Sequence, residues 1–147
     1  LSEQEGLTPA YDLNNWELIN SDQSVLEGYR LLTETEWEYV ARGGANGENT
    51  TYAGSDNIDD VAWFLDNSGD EAHPVGGKQA NELGIYDMTG NVWEWTNTLE
   101  NTSKGPYRVF RGGSWFSYAN YCEVDFKGRG SQPYSGRELG FRLAKTK

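Results

Sequence analysis

The stretch Thr33-Glu34-Thr35-Glu36-Trp37-Glu38-Tyr39-Val40-Ala41-Arg42-Gly43-Gly44 carries a full set of helix signals. Thr33 followed three residues later by Glu36 is a capping-box pattern, in which each side chain satisfies the other residue's free backbone N–H. Trp37, Val40 and Ala41 recur at i, i+3 and i+4, so they line one apolar face. Gly43-Gly44 ends the run, since glycine reaches the left-handed conformation that closes a helix. The pattern predicts a helix over about 33–42 with Trp37 turned to a core.

On either side of this helix regular structure is sparse. Residues 1–28 are polar with scattered anchors at Leu7, Tyr11, Leu13, Trp16, Leu18 and Ile19. The opening Leu1-Ser2-Glu3, without Met, reads as a start inside a longer chain. Ala62-Trp63-Phe64-Leu65 suits a buried strand or turn between two polar loops, the second of which holds His73. Tyr107–Ser114 alternates as a strand, with Tyr107 and Val109 on one face and Phe110 on the other. Leu139, Phe141 and Leu143 alternate again as a closing strand. Trp93 and Trp95 read as core residues, and Arg111 and Arg142 as structural pins, because a guanidinium can hold several carbonyls at once. No repeat or linker divides residues 1–147, so the expectation is one α+β domain.

Composition narrows the function. Of 147 residues, 36% are hydrophobic and 14% aromatic, so a few large rings must supply most of the core volume. A net charge of −11 argues against nucleic acid and anionic membranes as partners, because both select for basic clusters. No run approaches the roughly 18 apolar residues of a membrane span, so this segment is not expected to insert directly into a membrane. A single cysteine, Cys122, rules out an internal disulfide and any site built from two thiolates. His73 has no nucleophile signature near it, and 23 acidic residues make the presence of some carboxylate pair uninformative. No catalytic residue is expected.

Residues 115–136 differ from the rest of the chain. Trp115, Phe116, Tyr118, Tyr121, Phe126 and Tyr134 are interleaved with Ser, Asn, Asp and Gly and follow no helix or strand period. Rigid aromatics beside small adaptable polar residues make up a binding-surface composition, and some of these rings must be exposed.

Six blocks, in order, resemble the formylglycine-generating enzyme (sulfatase-modifying factor) family. They are Gly28–Tyr39, Ala41-Arg42-Gly43-Gly44, Asn81–Met88, Gly90-Asn91-Val92-Trp93-Glu94-Trp95, Arg111-Gly112-Gly113-Ser114-Trp115 and Gly140-Phe141-Arg142. The resemblance implies a C-type-lectin-like fold of short twisted antiparallel strands, few helices and long ordered loops. It implies a structural calcium ion held by the Asp87 and Glu94 carboxylates with the carbonyls of Gly90 and Val92, a donor set of the hard oxygens that Ca²⁺ takes. The family's oxidase activity uses two cysteines five residues apart that bind copper. Ser117 stands at the first of these positions and Cys122 at the second, so no copper is expected.

The C-terminal segment also resembles the variable proteins of diversity-generating retroelements, in which chosen Asn codons are randomised. With Arg111–Trp115, Ala119, Cys122, Val124, Arg129, Pro133, Arg137 and Gly140–Arg142 as a fixed frame, the variable positions fall between them. The expected ligand-binding set within 115–138 is Trp115, Phe116, Ser117, Tyr118, Asn120, Tyr121, Asp125, Phe126, Gly128, Gly130, Ser131, Tyr134, Ser135 and Gly136. The implied protein is a non-catalytic receptor or adhesin for a protein or other surface ligand. It would lie at a bacterial cell surface or outside the cell, with a lipid anchor upstream. A fixed structural or assembly domain is the second reading, and the copper oxidase the third.

Overall fold

The computed structural model describes residues 1–12, 14, 17–131 and 135–146; the expected anchors Leu13 and Trp16, the frame residue Pro133 and the site residue Tyr134 lie outside the described residues. Strand β1 (Tyr29–Leu31) leads into helix α1 (Glu34–Ala41), and a one-turn helix α2 (Ile58–Val61) follows a loop. Strands β2 (Trp93–Thr102) and β3 (Gly105–Arg111) form a hairpin, and β4 (Lys127–Gly130), β5 (Leu139–Phe141) and β6 (Leu143–Lys145) complete the chain. The four-stranded sheet runs β4-β3-β2-β5, antiparallel except for the parallel β2–β5 pair, while β6 pairs antiparallel with β1.

Helix α1 forms as its sequence dictates. Thr33 Oγ1 accepts the Glu36 N–H at 3.2 Å, and Glu36 Oε2 accepts the Thr33 N–H at 2.8 Å. The same carboxylate accepts from both terminal guanidinium nitrogens of Arg30, at 2.7 and 2.8 Å, and so fastens the helix start to β1. Trp37 and Ala41 are buried in one core cluster with Ala53, Met88 and Val124. A second cluster gathers Tyr52, Val61, Ala62, Phe64 and Cys122.

The inner face of the sheet is polar. Alternation buries Glu94 and Thr96 on β2 and Val109 and Arg111 on β3, and turns Trp93, Trp95 and Phe110 to the other face. Arg111, 1% exposed, donates to Glu38 on α1 at 2.6 Å and to the carbonyls of Val124, Asp125 and Phe126 at 2.9–3.0 Å. Its guanidinium also lies 5.4 Å from the Trp37 ring centroid, in cation–π range.

Ala62–Leu65, expected as a buried strand or turn, leaves α2 and turns, with Ala62 and Phe64 buried. Three expectations need correction. The strand expected over Tyr107–Ser114 ends at Arg111, because Gly112 and Gly113 take positive φ. The closing strand is two strands in two sheets, broken at Arg142, whose side chain turns inward to Glu94. Trp93 and Trp95 are half-buried on the outer face of the sheet, because Glu94 between them takes the inward position.

Removing the cap with Thr33→Ala should cost about 1 kcal/mol in chemical denaturation. Arg111→Ala should cost about 3–5 kcal/mol, since it leaves a carboxylate and several buried carbonyls without their donor. Burial pushes the Glu36 carboxyl up, but hydrogen bonds from Arg30 and Thr33 outweigh it and hold the group below its ordinary value. A group depressed in the folded state stabilises above its unfolded pKa, roughly 4.3 for Glu. That contribution should fade as pH falls through the lowered folded value, which an acid titration of the unfolding midpoint would read.

Candidate functional site

After β3 the chain passes through Gly112 and Gly113, both at positive φ (95° and 76°). A side chain at Gly113 would place its Cβ 2.3 Å from Cys122 Sγ, so the backbone can make this approach only as glycine. The following loop is tied down from beneath at many points. Trp115 N–H donates to Asn91 O at 2.7 Å, Ser68 Oγ to Trp115 O at 2.8 Å, Leu65 N–H to Ser117 O at 3.0 Å, and Val124 N–H to Thr51 O at 2.9 Å. Arg111 holds the carbonyls of residues 124–126.

On this fixed backbone Phe116 and Tyr118 are each 62% exposed and Tyr121 40%. Asn120, Asp125, Ser131, Ser135 and Gly136 are exposed, while Trp115, Phe126, Gly128 and Gly130 are half-buried. Ser117 is the exception. It is buried, its Oγ lies 3.0 Å from Ser114 Oγ and accepts the Ser114 N–H at 3.1 Å, so it faces inward and not toward a ligand.

The rings form a continuous row. Tyr118 contacts Tyr121 (centroids 6.5 Å apart), Tyr121 contacts Phe126 (5.0 Å), and Phe126 contacts Trp93 (6.0 Å). Phe110 then lies edge-on between Trp93 (5.1 Å) and Trp95 (5.3 Å). The row leaves the C-terminal segment at Phe126 and runs onto the outer face of β2 and β3. Trp93, Trp95 and Phe110 were not expected at the site; the signal that could have found them is the alternation about Glu94. Gly128, opposite Phe110 in the β3–β4 register, leaves the space that the ring fills, for a Cβ there would sit 2.0 Å from Phe110 Cε2.

The reactive groups are withdrawn from solvent or engaged. Burial pushes the Cys122 thiol up to about 12, against the opposing effect of its hydrogen bond with the Ser114 backbone. The thiolate that copper or a nucleophile needs is therefore scarce near neutral pH, and the partner position offers only the Ser117 hydroxyl. These residues do not fit a copper site. His73 stacks on Trp63 (3.9 Å, 15°), its Nε2 is 2.7 Å from Ser68 O, and its backbone pairs with the Asn91 side chain. It braces the loop under Trp115.

The expected calcium ligands also do not fit as arranged. Both Glu94 oxygens are taken by Arg142 and Trp37, and Asp87 Oδ2 accepts the Gly76 N–H at 2.7 Å.

A family profile described as Sulfatase-modifying factor enzyme 1-like domain matches residues 4–147. The chaperone protein LppX of Paenibacillus barcinonensis is 40% identical over 82% of this chain and 50% of its own length. The inactive C-alpha-formylglycine-generating enzyme 2 of Bos taurus is 34% identical over 80% of this chain and 44% of its own. The formylglycine-generating enzyme of Streptomyces coelicolor is 32% identical over 80% and 46%. The chain thus spans about half the length of the curated relatives it matches. Among solved structures, Treponema denticola variable protein 1 superposes with a TM-score of 0.77 at 34% identity, covering 100% of this chain and 57% of that one. CarF superposes with a TM-score of 0.81 at 31% identity, covering 98% and 60%.

Gly128→Ala should displace the Phe110 ring and change the near-ultraviolet circular dichroism and tryptophan fluorescence of the Trp93–Trp95 face, leaving the far-ultraviolet spectrum as it was. Cys122 should resist a thiol reagent at mildly alkaline pH until the chain is unfolded; rapid labelling of the native protein would contradict its burial.

Proposed function

This chain belongs to the sulfatase-modifying factor family, and from that premise we propose that it is a non-catalytic binding domain whose ligand contacts the aromatic loop following β3. One observation carries the reading: Phe116, Tyr118 and Tyr121 stand exposed on a backbone held from below by buried hydrogen bonds. Ordering a flexible loop on binding costs affinity, and a loop already ordered avoids that cost. Tyrosine and phenylalanine give large contact area at low side-chain entropy, while Asn120, Asp125 and Ser131 supply adaptable polar contacts.

The relatives support a role without catalysis, since they include an inactive enzyme, a protein named a chaperone and a variable protein, alongside active enzymes. The likeness to the variable protein favours a surface whose specificity is set by substitution at Phe116, Tyr118, Asn120, Tyr121 and Asp125. A protein ligand met outside the cell or at its surface is the partner that such a surface suits. Among the described residues no helix is long and apolar enough to cross a membrane. The LppX likeness favours a second reading, a fixed partner engaged by the same face.

A display library randomised at those five positions should stay folded and yield specific binders to a test protein such as serum albumin. Loss of folding across the library, or no binders from a folded one, would sink the proposal. Sequencing sister copies of the gene separates the two readings. A diversified surface predicts variation at the exposed positions, with only small residues at 117 and 128; an invariant loop favours the fixed partner.

A further inference from the structure

Along the turn Tyr86–Glu94 an internal cation, Arg142, is set against the Glu94 carboxylate and two backbone carbonyls. Arg142 Nε donates to Glu94 Oε2 and Nη2 to Glu94 Oε1, both at 2.6 Å. Nη2 also reaches the carbonyls of Tyr86 at 3.1 Å and Asp87 at 3.2 Å. Trp37 Nε1 completes the Glu94 shell at 2.7 Å. The Glu94 side chain is 7% exposed and accepts three donors, two of them from a bidentate guanidinium, among the strongest hydrogen-bond geometries a carboxylate finds.

We infer that in this chain the Tyr86–Glu94 turn is pinned by the Arg142 guanidinium and that the domain folds without a divalent metal. Ca²⁺ requires about six to eight oxygen ligands. To bind through Glu94 it would have to break the Arg142 pair or sit beside that positive charge in a partly buried site, where repulsion is poorly screened. Asp87 offers no easy alternative. Its Oδ2 already accepts the Gly76 N–H at 2.7 Å, which closes the 76–87 loop.

The arrangement also accounts for the break between β5 and β6. Phe141 stays in register with Trp95 while the next residue turns its side chain under the sheet to Glu94. The pin therefore joins the C-terminal strands to the turn and to helix α1 through Trp37.

The test uses the full chain and needs no ligand. Its unfolding midpoint should be the same in EDTA and in millimolar calcium chloride. Terbium, whose emission Trp93 and Trp95 would sensitise, should give no saturable signal. Arg142→Ala should lower the midpoint in both buffers, and Arg142→Lys, which keeps the charge and loses the fork, should lower it less. If Arg142→Ala does not fold, the parent chain and Asp87→Asn still decide the matter. A midpoint raised by calcium, or stoichiometric terbium binding that Asp87→Asn abolishes, would overturn the inference.

Discussion

The architecture depends on one buried cation, Arg111. It sits on the inner face of β3, beneath the Trp37 ring, and its donors run to Glu38 on α1 and to three consecutive carbonyls of the loop before β4. A guanidinium is suited to this because its planar fork aims several N–H groups in fixed directions at once. An aliphatic residue in the same place could fill the volume but could not satisfy the carbonyls, and buried carbonyls without donors are costly. The helix, the hairpin and the aromatic loop are thus set relative to one another by charge and hydrogen bonding as much as by apolar packing. That suits a chain in which only 36% of residues are hydrophobic.

This inner order leaves the outer surface free to carry rings. The segment 115–126 has almost no regular structure, yet its backbone groups find partners in four other parts of the chain, at Thr51, in the 65–68 turn, at Asn91 and at Arg111. Exposed side chains can change on such a backbone with little effect on the fold. Ser117 and Gly128 are different, because one side chain points inward and the absence of the other makes room for Phe110. The rings of the row are each tilted from the next by 48–83°.

On a scaffold shared with formylglycine-generating enzymes, this chain has its reactive groups turned inward or engaged. Cys122 is a small buried hydrophobe packed under Gly113, and Ser117 is a hydrogen-bond partner for Ser114. Glu94 shows how far context decides a carboxylate's role. In solvent it would be a candidate ligand for a hard cation; between Arg142 and Trp37 it is a structural anion.

Local chemistry made some of this legible in the sequence alone. The capping box at Thr33 and Glu36, the apolar face through Trp37, the strand beginning about Tyr107 and the irregular aromatic segment each rest on neighbours within a few residues, where covalent geometry and propensity rule. The single cysteine likewise removed a two-thiolate site before any fold was known. The ordered blocks carried the family and its fold. The inward turn of Ser117, the capture of Glu94 by Arg142 forty-eight residues away, and the extension of the ring row through Trp93, Phe110 and Trp95 were decided by tertiary structure. Each depends on which groups meet across the sheet and on which partner then satisfies a buried polar atom. Spacing along the chain does not record that choice.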